Sequence, residues 1–155
     1  MAYFAAVLVR TEQTWEAREV DLDDVEDLDG IADLARASSV DEEPVLVLVE
    51  QEDTWFAVVR VDGEEDPRIY VSDAAAVGRS AYGDTLLTAD VLGHDPDDDE
   101  EAPPSGPAGD ESVLADLGVT ADELAELGGG GRLPADALVV IAERLGCADE
   151  LETVR

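Results

Sequence analysis

Pro44–Gly63, PVLVLVEQEDTWFAVVRVDG, holds the two most strongly β-forming runs of the chain, one on each side of a polar break. Val45–Val49 is an unbroken aliphatic run, the pattern of a strand covered on both faces, and Trp55–Val61 adds aromatic and β-branched residues. Gln51, Glu52, Asp53 and Thr54 supply the reversal. The stretch therefore reads as a hairpin at the heart of a sheet, and it carries no constellation of nucleophile, base or metal ligand.

Upstream, Tyr3–Val9 is apolar and ends at Arg10; after a polar break, WEAREV from Trp15 alternates Trp15 and Ala17 against Glu16 and Arg18. This predicts a first hairpin with one solvated face. From Asp23 the period lengthens: Val25, Leu28, Ile31, Ala32, Leu34 and Ala35 mark one face of a helix, with Asp24, Glu26 and Asp27 at its electropositive end. Downstream, RIYVS at 68–72 predicts a further strand entered through Pro67. Ser72 or Asp73 then caps a helix through Ala74, Val77 and Ala81 to about Tyr82, and a short helix follows from Asp84 with Leu86, Leu87, Val91 and Leu92. The order ββαβββα implies an α+β domain over residues 1–92, a mostly antiparallel five-stranded sheet with helices packed on one face.

Residues 93–112 change character. Gly93–Glu111 has no large apolar residue, eight acids and four prolines. Such a segment buries too little to offset its ordering entropy, so an acidic, disordered linker is expected. Residues 113–155 then read as a small helical module. Ser112 is placed to cap VLADL, which Gly118 ends, and Thr120 with Glu123 has capping-box spacing before Leu124 and Leu127. After the Gly128–Gly131 interruption, Pro134 stands in a first turn ahead of the stripe Leu138, Ile141, Ala142 and Leu145, closed by Gly146, and Asp149 is placed to cap a last turn. A module of about 40 residues has a marginal core of its own, so it must dock on the sheet domain or on another protein. For a partner, Leu124, Leu127, Leu138 and Leu145 are the candidate contacts.

Charge limits the function classes. Forty acids face nine arginines, with no lysine, for a net charge of −31. Residues 1–92 carry −17, 93–112 carry −8 and 113–155 carry −6, so the acidity is global. Direct nucleic-acid binding and attachment to an anionic membrane both need cationic side chains and are excluded; basic protein surfaces are the complementary partners. One cysteine, Cys147, rules out an internal disulfide and fits a reduced, cytoplasmic setting. MAYFAAVLVR has no basic region ahead of an apolar stretch of about eight residues, so it reads as neither a signal peptide nor a membrane span.

The catalytic candidates each have a plainer reading. His94, the one histidine, stands at the edge of the linker, and Cys147 has no neighbouring cation in sequence to lower its pKa. The glycines at 128–131 lack a phosphate-loop lysine, and Asp97–Glu101 lacks the ligand spacing of a calcium loop. Trp15, Trp55, Phe56 and Tyr70 fit core positions better than a binding platform. No catalytic, cofactor-binding or metal site is assigned, and no cofactor is expected.

Four stretches, MAYFAAVLVR (1–10), EVDLDDVEDLDGIADLARA (19–37), the run from Pro44 to Asp84 and LPADALVVIAERLGCADELE (133–152), resemble the tRNA adenosine deaminase-associated proteins of actinobacteria. The long phrases VEQEDTWFAVVRVDGEEDPR and VSDAAAVGRSAYG carry the resemblance most specifically. It implies a tRNA-specific adenosine deaminase as partner and transfers no site residues. A zinc deaminase itself needs a His or Cys beside a glutamate and a Pro-Cys-x-x-Cys segment, neither of which is present. The expectation is a non-catalytic accessory protein, an adaptor or regulator of tRNA modification; the alternative is an acidic mimic of nucleic acid that competes for basic protein surfaces without a dedicated partner.

Overall fold

The computed structural model describes residues 3–11, 14–20, 28–38, 44–51, 55–61, 68–78, 108–109, 112–129 and 133–154. Strands β1 (Tyr3–Thr11), β2 (Thr14–Glu19), β3 (Val45–Gln51), β4 (Trp55–Val61), β5 (Arg68–Val71) and β6 (Ala108–Gly109) form one sheet in the order β2-β1-β3-β4-β5-β6. Every neighbouring pair is antiparallel. It follows that β2 and β3 run parallel with β1 between them, so their connection is a crossover, made by helix α1 (Leu28–Ser38). Helix α2 (Ala74–Gly78) follows β5. The C-terminal part comprises a 3₁₀ turn (Ala115–Leu117) and helices α3 (Ala121–Gly129), α4 (Pro134–Leu145) and α5 (Ala148–Val154).

The central hairpin is as expected. β3 and β4 are buried along all seven residues each and pair through Val47 opposite Val59. Gln51 belongs to β3, opposite Trp55, whose indole Nε1 donates to its Oε1 at 2.5 Å, so the reversal itself is Glu52–Thr54, outside the described residues. Alternation sorts the side chains. Val45, Val47, Val49, Ala57, Val59, Val61, Ile69 and Val71 point to one face, where Ile31, Ala32 and Ala35 of α1 and Ala74, Ala76 and Val77 of α2 cover them. Small alanines let the helix backbones approach the strands closely.

Leu8, Leu46, Leu48, Phe56, Val58 and Tyr70 point to the opposite face; the helices of residues 1–92 keep to the first face, as expected, and the second is covered by the C-terminal module. Leu114, Val119, Leu124, Leu138, Ile141, Ala142 and Leu151 form one buried cluster with these sheet residues. The helical module docks on the sheet and makes the protein a three-layer α/β/α arrangement. The physical reason lies in β3 itself: the five consecutive aliphatic residues Val45–Val49 leave neither face fit for water, and burying one Leu or Ile stabilises by about 1.5–3 kcal/mol. The second-face core joins strands of the first part of the chain to helices of its last part.

β6 is a sixth strand from within the expected linker. Tyr70 opposes Gly109 and Val71 opposes Ala108. Gly109 has φ +103°, and a Cβ there would meet the Ile69 carbonyl oxygen at 2.2 Å, so the edge accepts glycine alone. The rest of the linker, His94, the end of the helix after Gly78 and the helix expected from Asp84 lie outside the described residues.

Caps follow the sequence in part. Ala76 N–H donates to Asp73 Oδ1 at 3.3 Å and Glu123 N–H to Thr120 Oγ1 at 3.2 Å. The hydroxyl of Ser72 instead accepts the Phe56 N–H at 2.8 Å. VLADL forms a 3₁₀ turn, in which Ala115 N–H donates to the Ser112 carbonyl, and Gly118 ends it at φ 118°. Gly146 closes α4 at φ 88°, with Cys147 N–H donating to the Ala142 carbonyl at 2.8 Å. α3 continues through Gly129, beyond the expected break at Gly128, and α5 starts from the Cys147 carbonyl, which accepts from Leu151, so Asp149 lies inside its first turn.

A fragment test follows from the shared core. Residues 1–92 alone are expected to bind a hydrophobic dye and self-associate, and residues 108–155 supplied in trans should copurify with them and suppress dye binding. Dye-free, monodisperse 1–92 in sedimentation would contradict the shared core.

Candidate interaction surface

Each of the four candidate leucines faces inward. Leu124 and Leu138 have no exposed surface, Leu127 keeps 6 %, and Leu145 is half-buried against the same cluster. All four belong to, or pack against, the cluster that includes the second-face residues of the sheet. The aromatic candidates do likewise: Trp15, Trp55, Phe56 and Tyr70 are buried. Burial first, and then the charge of Glu150, push the Cys147 thiol up to about 12, so it stays protonated and inert.

Two polar contacts fasten the layer to the sheet. Arg60 is the one charged residue in β4, and its side chain, 6 % exposed, points out of the second face. Its Nη1 donates to the Val113 carbonyl at 2.9 Å and to Asp116 Oδ1 at 2.5 Å, and its Nη2 to Asp116 Oδ2 at 2.9 Å. This bidentate pairing satisfies a guanidinium that burial would otherwise make costly. Hydrogen bonding from Arg60, opposed by partial burial and helped by the charge of Arg60, holds the Asp116 carboxyl below the usual carboxylate range. The second contact is Tyr70 Oη, which donates to the Leu124 carbonyl at 3.0 Å.

The outer surface of the layer is acidic. Among the described residues of 112–154 there are nine carboxylates and one arginine. Asp122, Glu126, Asp136, Glu143, Asp149, Glu150 and Glu152 are exposed, and Arg144 is 3.6 Å from Glu123. The one large apolar side chain exposed among the described residues is Leu133, just before α4. The sequence pattern missed it because Leu133 lies off the apolar stripe of α4; its place at a helix start without a capping side chain was the available signal. Among the described residues, no three His, Cys, Asp or Glu side chains are grouped to hold a metal ion, and no helix is long and apolar enough to cross a membrane.

The family model described as Rv3753c-like tRNA adenosine deaminase-associated protein matches residues 3–148. The chain belongs to that family. The match runs from β1 into α5, so membership embraces the sheet and the C-terminal layer together. No curated protein and no solved structure matches the chain.

Asp116→Asn removes the charge that balances Arg60 while leaving Asn Oδ1 as an acceptor. The expected loss is about 1–3 kcal/mol, read by denaturant unfolding at pH 7. Because the folded-state pKa is lowered, the charged pair adds stability that is present above the unfolded value and is lost as pH falls through the folded one. The gap between wild type and Asp116→Asn should therefore close below about pH 4. Arg60→Met, which removes the buried charge altogether, is expected to cost less than Asp116→Asn. A gap that is unchanged at low pH would show that the pair does not fasten the layer.

Proposed function

We propose that this protein is a non-catalytic, cytoplasmic partner of a tRNA-specific adenosine deaminase, acting on tRNA modification as an adaptor or regulator through its acidic helical layer. The observation that carries the reading is the family match over residues 3–148, for a family described as deaminase-associated. Chemistry supports the division of labour. Zinc deaminases hold their metal with several His and Cys ligands and activate water on it. This chain has one histidine, His94, and one cysteine, Cys147, too few for that ligand set.

Electrostatics supports the direction of the association. An enzyme that handles tRNA needs cationic surface for phosphates, and a chain of net charge −31 attracts such a surface while being repelled by the tRNA. The protein is thus suited to meet the deaminase and not its substrate. Contact belongs to the outer surface of the closed layer; Leu124, Leu127, Leu138 and Leu145 reach a partner only if α3 and α4 lift from the sheet.

The net charge alone also favours the alternative reading, an acidic mimic that coats any basic surface. The two separate by salt. A dedicated complex contains apolar contact and should survive at about 1 M salt, where the Debye length is about 3 Å, whereas charge mimicry should vanish. Tagged full-length protein drawn from its native cell at low and high salt is expected to retain the deaminase at both, and adding it to the deaminase should change turnover of tRNA. Retention of assorted basic proteins at low salt, with none at high salt, would sink the dedicated partner and leave the mimic.

A further inference from the structure

Leu133 departs from two local rules at once. It occupies the N-cap of α4 with extended backbone, φ −65° and ψ 143°, and makes no side-chain capping hydrogen bond. A Ser, Thr, Asp or Asn there would accept one of the unpaired N–H groups of the first turn. It is also half exposed, at 50 %, where every other large apolar side chain among the described residues is at least partly covered. The core does not need it, because α4 buries itself through Ala137, Leu138, Ile141 and Ala142. Positions that give up local consistency without a gain in packing are where functional constraint is expected.

The surroundings give the position a chemistry. Helical spacing from Leu133 carries Asp136 and Glu143 along the same outward side of α4, beside Val140, which packs against the core. Asp136 and Glu143 are exposed, and Val140 is half-buried. At the far end, Arg144 turns to Glu123 of α3. The stripe therefore has an apolar head with carboxylates beside it, which is the layout of an interface whose centre excludes water and whose charges lie at the rim.

We propose that this outward stripe of α4, anchored by Leu133 with Asp136 and Glu143 at its rim, is the face that docks a tRNA adenosine deaminase, through an apolar socket bordered by Arg or Lys on the enzyme. The inference rests on the reading given under Proposed function. Charge selects the occupant: the carboxylates complement a surface built to meet phosphates. A second copy of the chain would set the same carboxylates against each other across a two-fold axis. Leu133 supplies the part of the affinity that salt does not screen.

The test uses the full-length protein and the deaminase, with affinity measured at low salt and at about 1 M salt. Leu133→Ser is a safe probe, since the backbone carbonyl at 133 still accepts the Ala137 N–H and the new hydroxyl adds a cap. Its melting temperature should not fall. Leu133→Ser is expected to weaken binding about tenfold or more at both salt concentrations. Asp136→Asn and Glu143→Gln should weaken it several-fold at low salt and leave it unchanged at high salt, and Glu152→Gln on α5 should have no effect at high salt. Binding by Leu133→Ser as tight as wild type at high salt overturns the inference and leaves the partnership standing. Wild type that fails to bind at either salt overturns both.

Discussion

A strand that is buried on both faces has no side to give to water. β3 and β4, seven residues each and buried throughout, impose that condition on the rest of the molecule. One face is met by nearby segments, α1 in the crossover from β2 and α2 just after β5. The other is met from the far end of the chain; among the described residues, no helix between β1 and α2 packs there. The C-terminal helices are therefore part of the fold, even though the sequence between Gly78 and Ala108 separates them from the strands they cover.

Apolar cover alone would allow the layer to settle in more than one orientation. Arg60 and Tyr70 remove that freedom. A buried guanidinium accepts only a position in which the Val113 carbonyl and both oxygens of Asp116 reach it, and a buried phenol only one that brings it the Leu124 carbonyl. β6 adds a third fixed point, at an edge where Gly109 lets two backbones approach more closely than any side chain would permit. With its inner face committed in this way, the layer has only its outer surface to offer: carboxylates and Leu133.

Legibility in the sequence tracked locality. The central hairpin, the alternation in β2, the crossover helix and the caps at Asp73 and Thr120 depend on residues within a few positions of one another, and all were readable. The cover of the second face was half-readable. Val45–Val49 demanded two covered faces and Leu138–Leu145 offered an unclaimed stripe, but nothing in either run states that the two meet. That pairing spans about ninety residues, and the same leucines therefore read equally well as partner contacts. Arg60 was legible as an anomaly in an apolar run, although its match to Asp116 was not. Ala108 and Gly109 gave no signal, because their pairing is made by backbone and by the absence of a side chain. Leu133 gave no periodic signal, because it lies off the apolar stripe of α4.

The central claim is that the sheet and the C-terminal layer form one cooperative structure. Native-state hydrogen exchange across a denaturant series tests it most directly. The slowest amides of β3, β4 and α4 are predicted to exchange with one common free energy and one common denaturant dependence, since each can open only when the shared second-face core opens. Amides of α4 that exchange at a much lower free energy, while β3 and β4 remain fully protected, would contradict it.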